Sequence, residues 1–433
     1  MTPAEAAALV RPVDSIGLPL GPGQPASLVH ALGERDDWER LDVLCAMLVD
    51  FYALFDHPGV RTTSTFFGPA ERIYRDTGAD IHYVPVDFRR FESVFERRSP
   101  RIMTTMATPP DADGYLSLSV HSGATTEELA RAAADPERLV VVEASSAFPR
   151  TVGLETATHR LHVSDIDVLI PTHRLPVVLA DAPMTHVEAA IAELARGFVV
   201  DGSTLQTGFG SIPSAIAGVL ARGDGGDYGI HSEMFTTGLM HLCEAGKVTN
   251  ARKGIHAGRS VTTFAAGEPE LYEWLDGEQS VRFLPVELVN SPEIIARNNQ
   301  MVMVNGAVSI DLAGQVVADT VACQQYSGVG GHEDFVTGGG LQADDRSLIC
   351  LPSAVTLPDG TLQSRIVSGA QPAVVSTPRH QTDVVITEHG VAELRGLTVE
   401  ERAIALADIA HPDFRDQLRA DAERCWRPPG GSA

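Results

Sequence analysis

Cysteine is scarce in this 433-residue chain. The five residues Cys45, Cys243, Cys323, Cys350 and Cys425 are odd in number and show no metal-like or redox-like spacing. A disulfide framework is therefore not expected, and a reducing cytoplasm is the expected location. Aromatic residues make up only 6% of the chain, whereas Ala, Val and Gly abound. That composition suits a close-packed α/β core of small aliphatic side chains better than an aromatic-rich sandwich. Positive charge is short too, with 33 Lys and Arg against 57 Asp and Glu, a formal net charge of −24. So acidic a chain lacks the basic footprint of nucleic-acid binding and is repelled by anionic membrane surfaces. No run reaches the ~18 apolar residues of a membrane span. The start, MTPAEAAALVRPVDS, does not read as a signal peptide. HExxH, CxxC, an EF-hand loop, the GxSxG elbow and the GxxxxGK[ST] phosphate loop are all missing. Metal, flavin and nucleoside-triphosphate chemistry thus have no support, and no metal site is expected.

What is present is an internal repeat. DSIGLPLGPGQPASLVHAL (14–32) and DGSTLQTGFGSIPSAIAGVL (201–220) both read as a strand, a Gly-rich turn, a Pro and a helix. Pro fits a first helical turn, where its missing N–H has no partner to lose. RIMTTMATPPDADGYLSL (101–118) is echoed by QMVMVNGAVSIDLAGQV (300–316), each an apolar run leading to Asp-x-x-Gly, and LVVVEAS (139–145) by SLICLPSA (347–354). Three echoes in one order predict a duplicated α/β domain, and the length itself favours two cores. The expected boundary divides 1–185 from 186–433, with a helix starting near Thr185 and Glu188 in its first turn. Strands are expected near 14–20, 41–49, 101–106, 139–143, 166–170, 203–207, 228–230, 301–309, 347–351 and 383–387. Helices intervene, one runs from Val399 to Leu406, and another follows His411; the tail RPPGGSA reads as disordered.

Four pieces carry chemical potential. In TGFGSIPSAI (207–216), Gly208 and Gly210 precede a helix start, where glycines admit close approach and N–H groups meet anions. A structural tight turn explains the pattern equally well, and Pro213 stands where a dinucleotide fingerprint needs Gly. In DYGIHSEMFTTGLMHLCEAGKV (227–248), Glu233 falls where a strand gives way to a helix. Its bland reading is an acid favoured in a first helical turn. YSGVGGHEDFVTGGG (326–340) has six glycines in fifteen residues, among them Gly330 and Gly331, which can turn N–H groups toward a developing oxyanion. It reads equally as a flexible surface loop, with Glu333-Asp334 as a helix cap. Asn290, before Ser291-Pro292, is a cap or a donor into a cleft. Arg252, Lys253 and Arg259 form a small basic run that either meets a phosphate or lies in solvent.

In this order, the pieces resemble the acetyl-CoA hydrolase/transferase family, which includes 4-hydroxybutyrate, butyryl and succinyl CoA-transferases. The likeness covers nearly the whole chain. It includes FFGPAER (66–72), PPDADGYLSLS, VEASSAFPRTVG, GIHSEMFTTGLMHLCEAG, VNSPEIIARNNQMVMVNGAVSIDLAGQV, GVGGHEDF, SRIV, VVITEHGVAELRGLTVEERA and IAHPDFR. The resemblance implies two similar tandem α/β domains of the CoA-transferase type with the active site at their interface. It implies a glutamate nucleophile at Glu233, an asparagine near the thioester at Asn290, and an oxyanion glycine at Gly331 with Gly330 beside it. The turn that contacts coenzyme A maps onto Gly210, Ser211, Ile212, Pro213 and Ser214, following Gly208. The substrates implied are an acyl-CoA and a small carboxylic acid, with no tightly bound cofactor and a homo-oligomer, a dimer first of all. Acyl-CoA hydrolysis through the same glutamate and a non-catalytic CoA-binding paralogue are the alternative expectations. The chain departs from the family pattern at His332-Glu333, Thr337-Gly338-Gly339, Ala318-Asp319-Thr320 and Glu388-His389-Gly390, positions expected near the acyl pocket.

Overall fold

Short runs of Val, Ile, Leu and Met, uninterrupted by charge, are what a strand buried on both faces requires. In a computed structural model of the protein, which describes residues 1–123, 125–180, 183–369 and 374–426, such runs build two sheets in succession. The first contains β1 (Val13–Leu20), β2 (Arg40–Ala46), β3 (Val60–Ser64), β4 (Ile81–Tyr83), β5 (Ile102–Ala107), β6 (Leu139–Ser145) and β7 (Val168–Thr172). Its order is β4-β3-β2-β1-β5-β6-β7, and every pairing is parallel. The second contains β8 (Thr204–Thr207), β9 (Gly229–Ile230), β10 (Met301–Gly306), β11 (Arg346–Cys350), β12 (Val384–Thr387) and β13 (Gly390–Glu393). Its order is β9-β8-β10-β11-β12-β13, parallel except for the hairpin at the β13 edge.

The repeat seen in the sequence is a repeat of topology. β1, β5, β6 and β7 stand side by side in the first sheet, and β8, β10, β11 and β12 stand side by side in the second. The Asp-x-x-Gly echo is one turn made twice. Asp111 Oδ1 accepts from the amides of Asp113 and Tyr115, and Asp311 Oδ1 accepts from those of Ala313 and Gln315. Gly114 and Gly314 close these turns at φ 83° and 95°, where a side chain is strained.

Three strands of these two sheets escape the sequence reading, as do the short strands outside them. β3 is written VRTTS and hides its polar Thr62 and Ser64; β4 has three residues; β13 is a short edge. The strand expected over 301–309 is broken at Gly306 and resumes at 309–311. Of the helices, α1 (Ala26–Gly33) follows the first Gly-rich turn, and α2 (His186–Arg196), just before the middle of the chain, begins with a capping box in which Thr185 and Glu188 satisfy each other's backbone amides. Near the end lie Val399–Asp408, also box-capped, and Pro412–Trp426. The tail 427–433 lies outside the described residues. No described helix is long and apolar enough to cross a membrane.

The two sheets share core. Met106, Val120 and Phe148 from the first half join the cluster of Phe235, Leu239 and Phe283 in the second. Met234, Phe264 and Val286 are in turn packed into the first-half cluster around Phe91 and Leu116. Each large aliphatic or aromatic side chain buried this way contributes about 1.5–3 kcal/mol. Backbone bonds run through the seam, from Ser122 N–H to the Thr263 carbonyl (2.8 Å) and from Ala265 N–H to that of Val120 (2.8 Å). Glu233 lies beside this seam.

Candidate active site

β9 ends at Ile230, a two-residue strand Met234–Phe235 follows, and α4 (Thr237–Glu244) begins after that. Glu233 therefore sits in the connection between two strands and not in a first helical turn, which removes the bland reading of its position. Its backbone is pinned: the carbonyl accepts from the amides of Thr263 (3.0 Å) and Phe264 (3.2 Å) and from Thr262 Oγ1 (2.9 Å). The approach to it is fixed as well. Lys253 is buried and donates from Nζ to the Ile230 carbonyl (2.6 Å) and the Arg259 carbonyl (2.8 Å). Buried His231, held neutral because burial drives its pKa down to about 3, donates from Nε2 to the Val289 carbonyl (2.8 Å). Sequence reasoning passed over His231 entirely.

That last bond sets Asn290 opposite Glu233. Asn290 closes the helix Val286–Val289, donating its backbone N–H to the Val286 carbonyl. It does not cap the helix that follows, whose flanking Ser291 makes no side-chain cap. Its Nδ2 donates to Glu233 Oε2 at 2.6 Å and to Asp334 Oδ2 at 2.9 Å. Burial pushes Glu233 up to about 8; the Asn290 hydrogen bond opposes the rise and the nearby Asp334 carboxylate adds to it.

The glycine segment comes to the same place. Gly331 packs against the Glu233 carboxylate so closely that a Cβ there would overlap Oε2 and stand 2.5 Å from Asn290 Nδ2. Gly330 has φ +57°, and a Cβ on it would lie 3.9 Å from Glu233 Oε1. Among the described residues, neither glycine amide donates to a protein acceptor. The segment is no flexible loop. It continues as α5 (His332–Gly339), where Gly338 and Gly339 let the helix lie directly on Ile295 and Met303. Asp334 does not cap this helix; it is fully buried and aimed at Asn290.

FFGPAER in the first half closes over these glycines. Phe66 packs on Gly328 and Gly330. Glu71, fully buried, holds the loop that carries Phe66: Oε1 accepts from Leu48 N–H (2.7 Å) and Oε2 from Gly68 N–H (2.8 Å). A buried carboxylate satisfied by backbone amides is a structural device, and the motif's likeness alone did not reveal its role.

The turn 208–210 follows β8, next to Glu233 through Ser232, whose Oγ donates to the Thr207 carbonyl (3.1 Å). A Cβ at Gly208 or Gly210 would meet nothing within 4 Å, and Gly210 has φ +122°. Phe209 is half exposed, and Ser211 Oγ bonds Glu188. Ile212, Pro213 and Ser214 form the half-buried first turn of α3 (Ser211–Arg222). The basic run does not assemble as an anion site. Arg252 pairs with Asp227, Lys253 is buried on carbonyls, and Arg259 bonds its neighbour's carbonyl. Among the described residues, no cluster of His, Cys, Asp or Glu could hold a metal ion.

The departures from the family pattern are held by hydroxyls of neighbouring segments. His332 Nε2 meets Thr377 Oγ1 at 2.8 Å, Glu333 bonds the same hydroxyl, Asp319 accepts from Ser376 Oγ, and Glu388 accepts from Ser353. None of these side chains hydrogen-bonds Glu233 among the described residues.

Residues 267–422 match the acetyl-CoA hydrolase/transferase C-terminal domain. The chain is 34% identical to a succinyl-CoA:cyclohexane-1-carboxylate CoA transferase of Geobacter metallireducens, covering 98% of this chain and 95% of the relative. It is 36% identical to a 4-hydroxybutyrate coenzyme A transferase of Clostridium kluyveri, covering 92% and 90%. Among solved structures, RipA from Yersinia pestis superposes with a TM-score of 0.89 at 32% identity, covering 98% of this chain and 97% of that one. The chain thus belongs to the acetyl-CoA hydrolase/transferase family and is an enzyme of that type.

Proposed function

We propose that the protein transfers coenzyme A between an acyl-CoA and a free short-chain carboxylic acid through a thioester on Glu233. The observation that carries this reading is the contact set of one carboxylate: Asn290 on one oxygen, Gly331 against it, and two uncommitted glycine amides alongside. The Glu233 oxygen attacks the thioester carbonyl, the C–S bond breaks, and CoA leaves as thiolate, giving an acyl-glutamyl anhydride. The thiolate then attacks the glutamyl carbonyl. The C–O bond of the anhydride breaks, the acyl group departs as a carboxylate with one former Glu233 oxygen, and a glutamyl-CoA thioester remains. An incoming carboxylate runs the sequence backwards, which is ping-pong covalent catalysis.

The Gly330 and Gly331 amides suit the oxyanions of these steps, each such donor being worth about 3 kcal/mol in the transition state. The open turn at Gly208 to Ser214 suits the CoA chain, whose remote binding energy can drive a weak nucleophile. Hydrogen bonds alone do not separate acid from water as acceptor; exclusion of water does. The test is incubation with a panel of acyl-CoAs, with and without acetate, followed by borohydride reduction and mass spectrometry. Reduction products at Glu233 and a new acyl-CoA in the acetate arm are expected. Modification elsewhere, or none with any acyl-CoA, overturns the mechanism, and free CoA without a new acyl-CoA turns the assignment to hydrolysis.

A further inference from the structure

The Asn290 side chain has no anchor of its own. It is fully buried, and its Oδ1 has no hydrogen-bond partner among the described residues. Its plane is set only by the two hydrogens of Nδ2, one directed to Glu233 Oε2 and the other to Asp334 Oδ2. Glu233 is the group being held, so Asp334 is the fixed end. Two carboxylate acceptors also settle which way the amide faces, since the flipped form would set its oxygen against both.

Asp334 is fixed in turn by the other half of the chain. The 3₁₀ turn Phe88–Arg90 belongs to the first half. Arg89 Nη1 donates to Asp334 Oδ1 at 2.7 Å, and Arg89 N–H donates to Asp334 Oδ2 at 3.0 Å. Phe88 N–H donates to the Gly330 carbonyl at 3.1 Å. Three bonds from one turn thus clasp the segment that carries the oxyanion amides and the Asn290 anchor. Arg89 is itself steadied by Asp87 (2.9 Å). A buried carboxylate is tolerated when it is paired and hydrogen-bonded, and Asp334 accepts from three donors on two residues, Arg89 and Asn290.

We infer that Asp334 and Arg89 are positioning residues of the reaction: Arg89 of the first half fixes Asp334, and Asp334 orients the Asn290 amide that holds Glu233. The inference rests on the reading of Glu233 as nucleophile. It makes the docking of the two halves a condition for a competent site, because neither half contains the whole chain of contacts. The charged and titratable groups around this chain include Glu233, Asp334, Arg89, Asp87, Arg90 and Glu333. Of these, Asp334 is the charge that acts on Glu233.

The experiment measures single-turnover formation of the Glu233 adduct in full-length protein, with KM for acyl-CoA and the pH profile, for wild type, Asp334→Asn, Asp334→Ala, Arg89→Lys and Arg89→Ala. Asp334→Asn keeps an oxygen for Asn290 and removes the charge. Its maximal rate should stay within about tenfold of wild type while its pH inflection moves to lower pH. Asp334→Ala and Arg89→Ala should lose about 100-fold in adduct rate with KM little changed, the scale of a misplaced reacting group. Arg89→Lys should recover part of the loss. If Asp334→Ala does not fold, Asp334→Asn and the Arg89 pair carry the test. A wild-type adduct on Glu233 together with unchanged rates and pH profiles in the folded variants overturns this inference alone. Absence of that adduct in wild type overturns the nucleophile reading, and this inference with it.

Discussion

Gly331 and Glu233 are in such close contact that a Cβ in place of the glycine hydrogen would overlap Oε2. The backbone at Gly331 is ordinary, with φ −86°, so a side chain is excluded there by the carboxylate and not by strain. Gly331→Ala is therefore expected to fold and to push the carboxylate off its line. Adduct formation should fall by about 100-fold or more, with a thermal midpoint close to wild type, as measured by rapid quench and calorimetry.

Ionisation of Glu233 gives a second expectation. Burial raises its pKa to about 8, and the nucleophile is the ionised form. The adduct rate should climb between pH 7 and pH 9 with an inflection near 8. Stability runs the other way. A folded-state pKa above the unfolded value means that the folded protein holds the proton more tightly, so stability falls as pH rises from about 4.5 through 8. Glu233→Gln carries no such charge. Its thermal midpoint should match wild type at pH 5 and exceed it at pH 9; a gap that narrows with pH would contradict the assignment.

Glu71 offers a test of the first-half loop. Glu71→Ala strands the buried amides of Leu48 and Gly68, at about 1–3 kcal/mol each. Urea unfolding should show a clear loss of stability. Activity should fall further than the unfolded fraction explains, because Phe66 loses its seat on Gly328 and Gly330.

Gly208 separates binding from folding. A methyl there meets no protein atom within 4 Å, and the φ angle is not left-handed. Gly208→Ala should leave the thermal midpoint unchanged while raising KM for acyl-CoA about tenfold, if the open turn receives CoA. An unchanged KM would assign the turn a purely structural role.

Much of this was legible in the amino-acid order. Period-free aliphatic runs marked most strands, and the doubled Asp-x-x-Gly turn marked the duplication because its chemistry is local. β3 was not legible because VRTTS buries polar side chains, Ser64 among them bonding the Phe66 carbonyl and Glu71 beyond the strand, a context no single run displays. Glu233, Asn290 and Gly331 could be named through family likeness, but their meeting depends on contacts spanning 57 residues and more. Asp334 looked like a cap because its first-turn position is common; its partner Arg89 lies 245 residues away. Lys253 looked like surface charge because nothing local reveals that carbonyls surround it.

The seating of α5 on Met303 and Ile295 through Gly338 and Gly339 has a catalytic corollary. One glycine hydrogen faces Ile295 of a neighbouring helix and the other Met303 of a central strand, so a turn or slide of the helix would drive it into one or the other. The dipoles at its start are consequently aimed before any ligand arrives, and solvent need not be rearranged around them as charge develops. Residues that resemble a floppy glycine tract in one dimension form, in three, a helix seated on its neighbours with its start against Glu233.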